Sequence, residues 1–152
     1  MAPTPPQFPA PGSFKAKLTL AMIGVHTRLY RLSGGRIGGK LAGGQILLVD
    51  HVGRKSGTER TTPLLFVPDG DNRILIASRG GSDATPAWWI NLKANPATTI
   101  QVGSERIEVQ ARQATAEEKP RLWGLATAVY PDYDLYQSRT EREIPVVVLE
   151  PR

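Results

Sequence analysis

The chain has 152 residues, enough for one domain with a real core, and its 40% apolar and 22% charged residues describe an ordinary globular protein. It holds no cysteine and only two histidines, His26 and His51, which excludes disulfides, a cysteine nucleophile and most zinc sites, and fits the cytosol. The net charge of +5 is one-sided: residues 13–60 carry nine Lys and Arg against Asp50 and Glu59 alone, a field that attracts a polyanion such as a cofactor tail, a nucleic acid or an anionic lipid surface.

Residues 1–12 contain five prolines and predict an extended arm ahead of a single domain over 13–152. Ser13 caps a predicted helix running to about Leu32. Phe14, Leu18, Met22, Val25, Leu29 and Leu32 form one stripe of it, with Lys15, Lys17, Arg28 and Arg31 mostly off that stripe. The stripe is expected to pack on its own domain, with a membrane surface as the alternative contact for a basic amphipathic helix. A preceding proline arm and the lack of a small-residue cleavage site argue against a signal peptide, and no apolar run spans a bilayer.

Six glycines between 33 and 44 predict a loop, and strands follow at 45–52, 60–67 and 73–79, the last two joined by Pro68-Asp69-Gly70-Asp71-Asn72. Thr85 is expected to cap a short helix with Pro86 at its first position, Trp88 and Trp89 in its first turn, and an end near Asn95-Pro96. A hairpin, 98–102 with 106–112, turns at Gly103-Ser104. Thr115 and Glu118 make a capping box for a helix through Val129, displaced by Pro120 so that its regular part begins nearer Lys119. Tyr133 and Tyr136 share one side of a further short helix, and 145–150 closes the chain as a strand. Six strands, helices apart from them and no β-α-β alternation predict an α+β domain: a small, mostly antiparallel barrel with helices outside.

The connection Gly53-Arg54-Lys55-Ser56-Gly57-Thr58-Glu59-Arg60-Thr61-Thr62-Pro63 sets three cations and several hydroxyls between two apolar runs. Two glycines allow backbone with positive φ and uncovered N–H groups, so the turn has what an anion needs: charge, donors and close backbone approach. A charged hairpin turn kept soluble by its cations is the plainer reading. Only three residues separate Gly53 from Gly57, and a strand rather than a helix follows, which excludes a nucleoside-triphosphate loop and a dinucleotide fingerprint. Asp50 and His51 are neighbours on a strand, so they face opposite ways and form no relay. Ser56 lacks a hydrolase elbow, no carboxylate pair stands in an apolar context, and no metal-ligand set is visible. Arg79, Trp88, Trp89 and the tyrosines Tyr130, Tyr133 and Tyr136 remain. Such tyrosines pin a helix to a core, or wall a pocket for a flat substrate. Aromatics beside an anion loop suit a planar redox cofactor with a phosphorylated tail, whereas they do not interleave with the cations as nucleic-acid platforms do.

These blocks carry a resemblance. Gly53-Arg54-Lys55-Ser56-Gly57 with Arg60-Thr61-Thr62-Pro63-Leu64, then Ala77-Ser78-Arg79-Gly80-Gly81, Pro86 through Pro96 and the Tyr130-to-Ser138 run resemble the deazaflavin (coenzyme F420)-dependent nitroreductases of actinobacterial type, from about residue 14 to Pro151. The resemblance implies a six-stranded antiparallel split β-barrel, like the FMN-binding split barrels, that binds reduced coenzyme F420, an 8-hydroxy-5-deazaflavin with a phosphodiester and a polyglutamate tail. It implies that Arg54, Lys55, Ser56, Gly57 and Arg60 hold the phosphate, with Arg79 and Arg28 or Lys15 near the tail. Backbone around Thr62, Pro63, Leu64 and Leu65, with Ala77, Ser78, Ala87 and Trp88, would cradle the ring. Tyr130, Tyr133 and Tyr136 would form the acceptor pocket, with Ser78 as a hydrogen-bond donor. The implied reaction is hydride transfer to an electron-poor small molecule such as a quinone or a nitroaromatic compound, in the cytoplasm or at the inner face of the membrane, with no metal. Leu65 and Ala87 depart from the family pattern, in which an aromatic and a bulkier residue stand there. A non-catalytic split-barrel carrier of F420, FMN, haem or a fatty acid is the alternative. The pattern fixes no oligomeric state.

Overall fold

The structure, a computed structural model, describes residues 12–41 and 43–152. The expected proline arm thus lies outside the described residues except for Gly12. Helix α1 (Phe14–Ser33) starts where the Ser13 hydroxyl accepts from the Ala16 N–H at 3.1 Å and stops at a left-handed Gly34. Seven strands follow: β1 (Lys40–Leu41), β2 (Gly44–Val52), β3 (Glu59–Asp69), β4 (Asn72–Ile76), β5 (Ala97–Val102), β6 (Glu105–Gln113) and β7 (Val146–Pro151). Helix α2 (Ala87–Ala94) separates β4 from β5, and α3 (Lys119–Val129) and α4 (Asp132–Ser138) separate β6 from β7.

All pairings are antiparallel, and the order β2-β3-β4-β7-β6-β5 closes on itself through Leu48 opposite Gln101 and Val49 opposite Ile100. The result is the expected six-stranded barrel. The two-residue β1 at its margin falls within the stretch read from sequence as loop.

Burial on the two faces of the strands builds two large cores, beside a small third cluster of Tyr30, Ile46 and Leu48. Inside the barrel, Leu47, Val49, Phe66, Leu75, Ile100, Val109, Val147 and Leu149 meet Trp88, Trp89 and Leu92 of α2, which plugs the interior. Outside, Val67, Ile74, Ile76, Val146 and Val148 are covered by Leu122, Ala126, Tyr133, Tyr136 and Ile144. Strands β4 and β7 are therefore apolar on both faces, and each fully buried large side chain contributes about 1.5–3 kcal/mol. The capping box forms as expected, Thr115 N–H to Glu118 Oε1 at 3.1 Å and Glu118 N–H to Thr115 Oγ1 at 3.2 Å, and α3 begins at Lys119. Thr85 does not cap α2: Pro86 occupies the cap position, with no side-chain bond there.

One expectation is overturned. The stripe of α1 does not pack on the domain: Phe14 is 80% exposed, Met22 64% and Leu32 86%, and only Tyr30 of this helix is buried. The helix is held through its last turns. The His26 imidazole Nε2–H donates to Gly38 O at 2.7 Å, and Arg31 reaches Asp50 at 2.8 Å, which Arg106 also meets at 3.0 Å. The Tyr30 hydroxyl sits on the seam that closes the barrel: it accepts from Gly103 N–H at 2.8 Å and lies 2.9 Å from Ile46 O and 3.3 Å from Gln101 O. Tyr30→Phe leaves these buried backbone groups unpaired and should cost roughly 1–3 kcal/mol, read as a lower urea midpoint. An unchanged midpoint would show that the seam closes without the hydroxyl.

Candidate functional site

The barrel has an open seam. Strand β3 pairs with β2 from Glu59 to Phe66, but with β4 only at Val67, Pro68 and Asp69. Beyond Val67 one edge of β3 is free, and Thr61 to Leu65 are all half-exposed in the middle of a sheet. Strand β4 turns instead to β7, and Ala77 N–H bonds Pro145 O at 3.0 Å. Continuing the β3–β4 register past its last pair sets Ala77 and Ser78 across from Leu64 and Pro63. A cleft therefore runs along β3, walled by free backbone donors and acceptors on one side and by the turn after β4 on the other.

At the start of β3 lies the cationic connection. Gly53 N–H bonds Thr58 O at 2.9 Å and Gly57 N–H bonds Gly53 O at 2.8 Å, a tight loop that leaves Arg54, Lys55, Ser56 and Arg60 exposed. Only Gly57 has the positive φ expected of both glycines, at 69°. At Gly53 a Cβ would stand 2.5 Å from the exposed Ser56 Oγ, so a side chain there would displace the serine hydroxyl. Among the described residues no carboxylate pairs with Arg54, Lys55, Arg60 or Arg79, whereas Arg31, Arg106, Arg112, Arg121 and Lys119 all have acidic partners. Unpaired cations gathered on a backbone turn have the charge and the donors that an anion requires.

The turn after β4 is held from two sides. Arg79 adopts positive φ, 46°, a strained conformation for a side chain of its size. Gly81 packs so tightly on α4 that a Cβ would stand 2.6 Å from Tyr136 O. From below, the Arg142 guanidinium donates to Ser82 O at 2.8 Å, Ser78 O at 2.9 Å and Ala77 O at 3.2 Å. Ser78 is buried, and its hydroxyl has no partner among the described residues.

At the other end of the cleft stand the tyrosines. The hydroxyls of Tyr130 and Tyr136 bond each other at 2.7 Å, and the Tyr133 ring meets Tyr130 edge-on at 4.9 Å between centroids. Leu65 of β3 packs against this cluster. Burial first, and then the Tyr130 charge, push the Tyr133 phenol well above its ordinary value, so it remains a neutral O–H donor at physiological pH. Tyr136 is held up by burial and by its bond to Tyr130.

Of the residues expected to serve the site, Arg54, Lys55, Ser56, Gly57 and Arg60 gather at one end of β3. Thr62, Pro63, Leu64 and Leu65 line the open edge. Ala77, Ser78 and Arg79 form the facing turn, and the three tyrosines join that turn through α4. Ala87 is exposed at the start of α2, whereas Trp88 is buried in the barrel core, 7% exposed. Lys15 and Arg28 ride on α1.

Sequence reasoning missed three residues. Asn91 is buried and accepts Arg54 N–H at 3.2 Å through Oδ1, so α2 fixes the cationic loop. Its position three residues after Trp88, on one helix face, was the available signal. His51, read from sequence as an ordinary strand histidine, bonds both Asn91 and Thr62. Arg142 had no local signal, because its partners lie 60 to 65 residues away.

The fold is that of the antiparallel split-barrel proteins, here with cations at one end of an open strand edge and phenols at the other. Within that class the chain belongs to the F420H(2)-dependent quinone reductase family, whose model matches residues 22–151. It is 41% identical over 135 residues to the F420H(2)-dependent quinone reductase Rv1261c of Mycobacterium tuberculosis, covering 86% of this chain and 91% of that protein. A solved F420-H2 dependent reductase, FDR-A, is 39% identical with a TM-score of 0.64 over 69% of this chain and 93% of its own. A structure described as a domain-swapped dimer is 32% identical, with a TM-score of 0.68 over 88% and 99% of the two chains. A haem-binding protein from Mycobacterium smegmatis shares the fold at 14% identity and a TM-score of 0.56, over 73% of this chain and 48% of its own, so fold alone does not choose the cofactor. Membership of this family makes the chain an F420-dependent oxidoreductase of the quinone reductase type.

Proposed function

We propose that this protein reduces a quinone-like acceptor with F420H2 bound in the cleft along β3. The observation that supports the reading is the open edge from Thr61 to Leu65, with uncompensated cations at one end and a protonated phenol at the other. From Arg60 to Leu65 the strand spans about 17 Å, enough to separate an anionic tail from the reacting ring.

In this reading Arg54, Lys55 and Arg60 hold the phosphate with Ser56 and the backbone of Gly57. The β3 backbone around Thr62, Pro63, Leu64 and Leu65, free of β2 at the Pro63 carbonyl and at Leu65, orients the ring with Ala77, Ser78 and Ala87 opposite. Trp88 acts from beneath, anchoring α2 in the barrel. Arg79 and Arg28 or Lys15 serve the tail. The reduced 8-hydroxy-5-deazaflavin supplies the hydride; no metal is called for. Tyr133, the tyrosine of the cluster whose hydroxyl is not bonded to another phenol, donates to the acceptor oxygen that gains charge, with Ser78 as second donor. Tyr130 and Tyr136 complete the wall.

The exposed stripe of α1 rests against the inner membrane surface. Helix α1 contains no acidic residue, and Lys15, Lys17, Arg28 and Arg31 flank its apolar face. A lipid-soluble quinone would be met there. No helix among the described residues is long and apolar enough to cross a membrane, so the contact is peripheral.

Changing Lys55 and Arg60 together to Ala should raise the F420 Kd, read by fluorescence titration, with each lost charge-assisted bond costing roughly 1.5–3 kcal/mol. Unchanged affinity would remove the phosphate from this loop. With reduced F420 and menadione, Tyr133→Phe should lower kcat by at least about tenfold while the F420 Kd holds, the size expected of one proton-donating group. The reverse pattern takes Tyr133 out of the acceptor pocket, and a wild type without steady-state turnover is a carrier. Liposomes of anionic lipid should sediment the wild type but not a Leu18→Glu, Met22→Glu double variant. These substitutions are preferred to truncation because deleting α1 would take the buried Tyr30 with it. Equal sedimentation removes the membrane contact.

A further inference from the structure

Three hydrogen bonds at the head of the cleft have directions that chemistry fixes one after another. The Arg54 backbone N–H can only donate, so the Asn91 atom 3.2 Å from it is Oδ1. The other end of that amide, Nδ2, is then a donor, and it lies 2.9 Å from His51 Nδ1. Nδ1 must accept, so His51 is neutral with its proton on Nε2. That Nε2–H faces Thr62 Oγ1 at 2.8 Å and donates to it. The Thr62 hydroxyl proton is left over, and among the described residues Thr62 Oγ1 makes no other hydrogen bond. Thr62 is half-exposed on the open edge of β3, while His51 and Asn91 behind it are buried.

We propose that His51 and Asn91 are positioning residues that lock the Thr62 hydroxyl as a hydrogen-bond donor into the cleft, so that the bound ligand must present an acceptor oxygen at this point. The other tautomer is closed off. A proton on Nδ1 would turn Asn91 over and set its NH2 against the Arg54 N–H, donor against donor. The loop that carries the cations and the hydroxyl that reads the ligand are thereby set by one chain of bonds. This inference rests on the reading of the cleft as the F420 site, which makes the acceptor a neutral or anionic oxygen between the phosphate and the ring.

The relay also excludes the imidazolium. Burial lowers the His51 pKa, the Arg60 charge lowers it further, and Asp50 opposes them. Arg31, Glu59, Arg106 and Arg152 line the same surface depression beside His51. The folded-state pKa is depressed for a base, so the neutral, relaying form persists below the ordinary imidazole range. Ligand affinity should be flat from pH 8 downward and fall only on the acid side of that range.

Two measurements test this on the full chain. Long-range proton–nitrogen NMR correlations of the imidazoles should show His51 with a protonated Nε2 and a bare Nδ1 at pH 7. In fluorescence titrations with F420, Thr62→Val should raise Kd about tenfold, Thr62→Ser should restore it to within about twofold, and the acid-side weakening should shrink in the Val variant. His51 protonated on Nδ1, or a Thr62→Val protein that binds F420 as the wild type does, overturns the proposal. A wild type that does not bind F420 would instead overturn the cofactor reading, and the tautomer then decides the relay alone.

Discussion

The structure depends on the burial of α2 in the barrel. Trp88, Trp89 and Leu92 enter a core contributed by all six barrel strands. Because α2 is fixed there by apolar area, its one buried polar side chain, Asn91, arrives at the β2–β3 connection in a set position. A surface loop with five consecutive exposed residues from Arg54 to Thr58 would otherwise have little to hold it. Packing inside the barrel thus becomes order in the cationic loop at its rim.

The second constraint is the divided allegiance of β4. It gives β7 four residues, from Arg73 to Ile76, and β3 only three, from Asn72 to Ile74. The seam this opens exposes strand edge, usually a liability, along the half-buried residues Thr61 to Leu65. Arg142 and Gly81 then hold the opposing turn at a fixed separation by quite different means, one by bonding three carbonyls and the other by allowing α4 to approach. Strain at Arg79 sits in the same turn, where a functional site tolerates it.

Much of this was legible in the sequence. Apolar runs and turn residues located every barrel strand, although the one expected over 73–79 ends at Ile76, where the chain leaves the sheet for the turn at Arg79–Gly81. Such runs and turns are local properties. The Thr115–Glu118 box placed α3 for the same reason. The loop chemistry at Arg54, Lys55 and Arg60 could be read because the cations are adjacent in the chain. What could not be read is what long-range contact decides. The α1 stripe has a helical period whichever surface covers it, so its exposure was invisible. His51 looked ordinary because its partners, Asn91 and Thr62, are remote in sequence. The open seam follows from which neighbour β4 prefers, which no pattern within β4 reveals. Gly53 lacks the positive φ that its place in a glycine-bounded turn suggests, since the turn's backbone is set by the Gly53–Thr58 and Gly57–Gly53 bonds.

The family supplies the class of cofactor, and the open edge of β3 is the place proposed for it. That placement is tested most directly by a crystal structure of this protein with bound F420. The account predicts the phosphate against Arg54, Lys55 and Arg60, the ring along Thr62 to Leu65 and the tyrosine cluster beyond it. A deazaflavin lodged anywhere other than this seam, with those three cations facing solvent, would contradict it.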